Sequence, residues 1–223
     1  MNNSKRSIIF FISFMVVMCI FSFIVPRLPI NYENELGDII FINLLYFLFL
    51  LLLPLLQMGL RFLYTSKDYI KENVFFSIPL TKKNIYNRLV YYIIAIFIFL
   101  IPVITSRDIN TLGISELISF GYWMLIIEVI LRVSNKNTKI YFMKNGILLR
   151  GYDMSIDIPL GNDLMNHSGF YYYTQFNLYD LNDNNFKLFM TGDLGHIIGE
   201  LDDEKIEPVK AFLSTKHISQ INK

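Results

Sequence analysis

His167, His196, His217, the single Cys19 and Glu128 are the side chains of this chain best equipped for chemistry, and their spacing argues against it. The histidines lie far apart, and none forms the HExxH or close Cys/His pairing that a zinc site needs. Asp180, Asn182 and Asn184 open like a calcium-binding loop, but Asn185 stands where that loop needs glycine and Thr191 where it needs a bidentate glutamate. There is no phosphate-cradling glycine loop and no Gly-x-Ser-x-Gly, and Gly192, Gly195 and Gly199 read as turn geometry. Cys19 cannot form a disulfide within the chain. Met18 stands where lipoprotein processing wants a small residue, so a buried, inert thiol is expected. The pattern predicts a protein that is not an enzyme, with no cofactor and no metal.

Glu128 is the one acid within a long apolar stretch. A charge at mid-membrane is costly and has a purpose. Arg132 follows one turn later, at the spacing of a helical ion pair, which predicts a structural pair that snorkels to the interface. Gln57, together with Pro54, predicts a kink or a polar contact with a neighbouring helix.

These groups are carried by apolar segments. Helices rise about 1.5 Å per residue and the hydrocarbon core is about 30 Å thick, so about 20 apolar residues span it. Four stretches within residues 1–133 answer to this, at about 8–25, 39–60, 89–104 and 113–133, the third short but flanked by Arg88, Tyr91 and Tyr92. Hydrophobic residues make up 53% of the 223, and the excess sits in that part. The first stretch ends in Val25, Pro26 and Arg27 rather than a small-residue cleavage site, so it reads as a span and not a signal peptide.

Basic residues alternate between loops. Lys5 and Arg6 precede the first span. Arg61, Lys67, Lys71, Lys82, Lys83 and Arg88 lie between the second and third, and Arg132, Lys136 and Lys139 follow the fourth. Arg27 and Arg107 stand alone in the other two loops. The positive-inside rule then places both termini in the cytoplasm and the chain in the plasma membrane as a multi-pass protein. A formal net charge of +1 offers no attraction for nucleic acid.

Ser134 to Thr138 mark a boundary, after which residues 134–223 read as a cytoplasmic β-rich domain. Ile140 and Phe142 alternate with Tyr141 and Met143, Asn145-Gly146 predicts a tight turn with positive φ angles, and Ile147 and Leu149 resume the alternation. Met154, Ile156 and Ile158 predict a third strand. A long fourth strand should bury Phe170, Tyr172, Phe176 and Leu178 and expose Tyr171 and Tyr173. Phe186, Leu188 and Met190 predict a fifth strand, His196 to Leu201 a sixth, and a helix over about Asp203 to Lys216 closes the chain.

Antiparallel strands closed by one C-terminal helix, in a sheet or partial barrel, resemble the bacterial pleckstrin-homology-like (PH-like) domains found behind transmembrane segments. The likeness is carried by the Ile140 to Leu149 hairpin, by Ser155-Ile156-Asp157-Ile158-Pro159-Leu160 and by the closing helix. It implies a binding or assembly module. In the loop before the third span, Glu72-Asn73-Val74-Phe75-Phe76-Ser77-Ile78-Pro79-Leu80-Thr81-Lys82-Lys83-Asn84-Ile85 is similar to the loop of ABC-2 type permeases. That similarity implies docking on a cytosolic ATPase. A short helix along the membrane would present Tyr69, Ile70, Val74 and Ile78 to a groove, with Pro79 ending it and Lys82 and Lys83 at the headgroups.

The expected architecture is therefore a four-helix transmembrane part followed by a small α+β, PH-like domain. Its partners would be the bilayer, a membrane or cytosolic protein that meets Ile70, Val74, Ile78, Pro79, Lys82, Lys83, Tyr171 and Tyr173, and a second copy of itself. A divergent permease subunit served by an ABC ATPase in trans, and a membrane immunity or stress protein, are the alternatives.

Overall fold

The computed structural model describes residues 3–30, 35–71, 73–80, 85–108, 112–158, 168–182, 185–193 and 195–221. Helix α1 (Asn3–Cys19) runs on through a π-helical stretch, Ile20–Ile24, and a 3-10 turn, Val25–Arg27. Helix α2 (Glu35–Tyr46) continues through π-helical Phe47–Leu52 into α3 (Leu53–Lys71). Helix α4 (Ile85–Phe99) is followed by α5 (Ile101–Ser106), and α6 is Ile114–Asn137. Each departure from regular geometry lies beside a proline: Pro26, Pro54 and Pro102. A proline lacks the N–H that would bond four residues back, and its ring crowds that carbonyl, so the preceding turn widens or breaks.

Three of these helices, Lys5–Arg27, Leu36–Lys67 and Ile114–Asn137, are long and apolar enough to cross a bilayer. They contain the expected spans 8–25 and 39–60 and most of 113–133. The expected span 89–104 falls on a shorter apolar helix, Asn87–Phe99, and on α5 beyond the break before Pro102. Helix α1 packs along α3, α4 along α6, and α2 touches both α4 and α6. Their shared core includes Val17, Tyr46, Leu50, Tyr91, Trp123 and Ile127. Within it, Trp123 Nε1 donates to Asn43 Oδ1 at 2.8 Å, and Asn43 Nδ2 donates to Ser119 Oγ at 3.0 Å. Cys19, expected to be buried, is exposed. It lies on an outer face of α1 with Met15 and Phe23, which a bilayer would cover.

Among the described residues eight strands follow a different period: β1 (Val74–Pro79), β2 (Lys139–Met143), β3 (Gly146–Arg150), β4 (Gly169–Tyr172), β5 (Phe176–Asn182), β6 (Asn185–Met190), β7 (His196–Glu200) and β8 (Ser219–Gln220). They form two four-stranded sheets, ordered β1-β2-β3-β4 and β7-β6-β5-β8. All pairs are antiparallel except β5 with β8. A bridge between Leu80 and Gly199 joins the sheets at one corner without closing a barrel. Helix α7 (Asp203–Thr215) buries Val209 and Leu213 against them.

Four expectations about this part are corrected. The loop between the second and third apolar segments does not form a short amphipathic helix. Helix α3 reaches Lys71, and Val74–Pro79 is β1, paired with β2 so that Ile78 stands opposite Ile140. Phe76 stacks on Phe142 with ring centroids 4.5 Å apart, so alternate apolar residues bury better on the sheet than on a membrane-surface helix. The hairpin at Asn145-Gly146 exists, yet neither residue has a positive φ. Gly146 is required for closeness instead, since a Cβ there would lie 2.3 Å from the Tyr171 carbonyl oxygen.

The long fourth strand is two strands in different sheets, parted by a 3-10 turn at Tyr173–Gln175. That turn, and a bulge between Phe176 and Leu178, reverse the parity of the alternation. Tyr171 and Tyr173 are therefore buried, while Tyr172 is exposed. The segment Met154 to Ile158 joins neither sheet; its place is described next.

Candidate functional site

Residues 152–158 belong to no helix and pair with no described strand, yet Asp153 to Asp157 are all buried. A buried backbone must find partners, and this one takes them from the helices. Arg61 Nη2 of α3 donates to the carbonyls of Asp153 and Ser155 at 2.9 and 2.7 Å. Ser134 Oγ of α6 accepts from Met154 N at 3.1 Å, and the Tyr91 hydroxyl of α4 donates to the Met154 carbonyl. Gln57 Oε1 of α3 accepts from Asp157 N at 2.8 Å. Ile156 and Ile158 join the apolar core of the helices. The segment thus threads the sheet-side mouth of the bundle as a strap touching α1, α3, α4 and α6.

Two carboxylates meet two arginines there. Arg6 of α1 forks onto Asp157, Nε to Oδ2 at 2.9 Å and Nη2 to Oδ1 at 2.6 Å. Arg61 Nη1 lies 3.7 Å from Asp153 Oδ2, with both side chains 1% exposed. Asp153 also accepts from the Ser155 hydroxyl at 2.6 Å and from the Ser168 amide and hydroxyl, each at 2.9 Å. Such forked, charge-assisted bonds are directional and strong, and they offset the cost of burying the charges only while both partners stay. Burial pushes the Tyr171 phenol well up from its usual range, with Arg6 and Arg61 opposing and Asp157 and Asp153 reinforcing, so Tyr171 stays neutral beside the network.

The strap is fastened at its start. Gly151 leaves β3 where a Cβ would lie 2.2 Å from the Asn137 carbonyl oxygen at the end of α6. Nearby, the Arg150 guanidinium stacks on the rings of Phe62 and Tyr69, 4.1 and 4.6 Å from their centroids, and donates to Ser66 Oγ at 3.0 Å. Gln57 Nε2 and Arg61 Nε, two buried donors in the mouth, have no acceptor among the described residues.

The sequence-derived candidates fall in different places. Gln57 belongs to the network, although it holds the strap and not a neighbouring helix. Tyr171 lies against it, and Tyr173 donates to the Met143 carbonyl at 2.8 Å. Ile78 is fully buried in the sheet core, whereas Ile70, Val74 and Pro79 are exposed. Lys82 and Lys83 lie outside the described residues.

Glu128 does not pair with Arg132, which is exposed. Its carboxylate accepts from Arg88 Nη2 at 3.2 Å and from the Tyr92 hydroxyl, both on α4. A facing helix brings donors straight at the carboxylate, which a residue on the same helix surface does less well. Among the described residues no group of three or more His, Cys, Asp or Glu side chains gathers as a metal site would require. His196 is exposed and packs by Phe189, and His167 lies outside the described residues.

Arg6, Arg61, Asp153 and Asp157 escaped the sequence reading. The two arginines had been explained by membrane orientation. The aspartates carried the one available signal, since two acids four positions apart flank an apolar Ile156.

By length and composition, three helices fit to cross a bilayer mark this chain as a membrane protein, and a mixed-sheet region is anchored to them through a charged strap. Compared with known proteins, the chain matches no family model, no curated protein and no solved structure.

Proposed function

We propose that this chain is a non-enzymatic, four-span protein of the plasma membrane, with its N-terminus and sheets in the cytoplasm, and that its β-rich part is a PH-like module serving assembly or regulation. The observation that carries this reading is the strap: a sheet-forming domain is tied to four helices through charged and polar contacts. The PH-like resemblance implies antiparallel strands in a sheet or partial barrel closed by a C-terminal helix; what supports it is largely antiparallel pairing with α7 packed on the strands, here divided between two sheets. The fourth span would be α4 with α5, shortened but anchored by Arg88 and Tyr92.

The surface offered to a partner lies where α3 passes into β1. Ile70 is 82% exposed and Phe75 56% exposed, and Val74 lies between them in sequence. Apolar side chains this exposed beyond the span suit a protein partner or the inner leaflet. The permease alternative would rest its docking on Lys82 and Lys83, because Val74–Pro79 is engaged in the sheet.

The test is a mild-detergent pull-down of the tagged full-length protein and of an Ile70→Glu/Phe75→Glu variant whose thermal unfolding matches it. A membrane-bound partner recovered with the first and lost with the second supports the reading. An ATP-binding cassette protein retained by both, and lost on changing Lys82 and Lys83 to Glu, would replace it with the permease alternative.

A further inference from the structure

We infer that residues Tyr152 to Ile158 form a withdrawable plug: α1 and α3 hold them in the mouth of the helix bundle through the Arg6–Asp157 and Arg61–Asp153 pairs, and they leave it as one unit. The inference rests on the helices spanning a membrane and not on the identity of any partner.

Three observations carry it. Among the described residues the strap shares no ladder with either sheet and is tied to the sheet side by the bonds from Ser168, just ahead of β4, to Asp153, so it can leave the mouth without breaking a strand pair. Its contacts with the helices are discrete: two charged residues, Gln57, Tyr91 and Ser134. Its charge pattern also suits two positions. A wholly apolar plug would be trapped, since withdrawal would expose its surface to water, whereas Asp153, Asp157, Arg6 and Arg61 are well hydrated once apart.

Burying such pairs in place of apolar side chains gains little stability, and their best-attested use is to fix one arrangement among alternatives. Here the seated arrangement places Ile156, 3% exposed, in the helix core. Withdrawal uncovers two guanidinium groups and the Gln57 amide, whose Nε2 has no acceptor among the described residues while the plug is in place. Gly151, pressed against the end of α6, marks where the strap pivots out of β3.

The test uses the full-length chain with Cys19→Ser in unsealed membranes, so that both faces are reached. Retention in the pellet after an alkaline wash reads the membrane assignment separately. Ile156→Cys and the exposed Tyr152→Cys are each labelled with a charged maleimide. With the pairs intact, Ile156→Cys should react far more slowly than Tyr152→Cys. Adding Asp157→Asn should raise its rate by about a hundredfold to a few thousandfold, the change that loss of a buried pair implies. The exchanged pair Arg6→Asp/Asp157→Arg should restore slow labelling.

Equal rates for the two cysteines in the native background would overturn the plug. So would a slow Ile156→Cys rate that Asp157→Asn leaves unchanged. Hydrogen exchange on the unsubstituted protein provides a reading independent of any variant's folding. The amides of 153–157 should exchange together, well ahead of β2 and β3. Exchange of the strap only together with those strands would show a fixed core element and sink the inference.

Discussion

Arg6 and Asp157, near the start of the chain and 151 positions later, share two parallel hydrogen bonds while each side chain is only 4% exposed. The first helix is thereby tied to a segment that emerges only after every other long helix has been made. Because the pair is buried, its energetics differ from those of a surface salt bridge: removing one partner leaves a charge in a dry place.

Arg6→Ala or Asp157→Ala should therefore destabilise the protein by about 3–5 kcal/mol, and the apolar double variant Arg6→Met/Asp157→Leu should recover most of that loss. Thermal unfolding in detergent compares the four proteins. A double variant as unstable as the sum of the singles would mean the pair contributes more than charge compensation.

β1 supplies Phe76 and Ile78, and Leu80 just beyond it adds a third side chain, to the core of the sheets from a segment between helices. A fragment of residues 134–223 should accordingly fail to fold cooperatively, because β2 becomes a bare apolar edge. Placing residues 73–80 ahead of Thr138 through a Gly/Ser linker should restore a cooperative transition, followed by circular dichroism. In the whole chain, Ile78→Ala should cost about 2–5 kcal/mol. A sharp transition from 134–223 alone would show that the strand is dispensable.

Tyr171 gives the fold a dependence on alkaline pH. Its phenol ionises later in the folded chain than its ordinary value of 10.0, so the folded state keeps a proton that the unfolded state loses. The stabilisation is complete below pH 10 and falls as pH rises above it. Tyr171→Phe should flatten the decline of stability above pH 10, seen in denaturation midpoints at pH 9 and 11. A slope unchanged by the substitution would assign that loss to other groups.

Glu128 should matter less to stability than its place in an apolar helix suggests. Its arginine partner, 49% exposed, stands in the first turn of α4 and the carboxylate is 27% exposed, so the pair lies toward a helix end and not in a closed core. Glu128→Gln keeps an acceptor for Tyr92 and should cost less than about 1 kcal/mol. A larger loss would indicate that the carboxylate answers to something beyond Arg88 and Tyr92.

The apolar helices were legible in the sequence because membrane spans obey a one-dimensional rule of length and polarity. The strands from Lys139 to Glu200 were legible where the period of two ran unbroken. It failed at Tyr171 and Tyr173, where a 3-10 turn and a bulge change parity and alternation alone gives no warning. β1 was unreadable for another reason. Tyr69 to Ile78 fits a helix of one amphipathic face nearly as well as a strand, and what decides is β2, 60 residues further on (79 to 139). The strap was missed because its partners are scattered over four helices, and because its alternating Met154, Ile156 and Ile158 mimic a strand without a neighbour to bond.

The insertion of three helices, α4 to α6, between β1 and β2 also sets a timetable. At about 5–20 residues per second of synthesis, β1 waits roughly 3–12 seconds for its partner while α4 to α6 are made, the last of them long and apolar enough to cross a bilayer. During that interval Phe75, Phe76 and Ile78 form an uncovered, aggregation-prone edge on the nascent chain. Delivery of the following helices to the membrane is thus a step in folding the sheet, and a slowed or misdirected insertion should surface first as a sheet that never assembles.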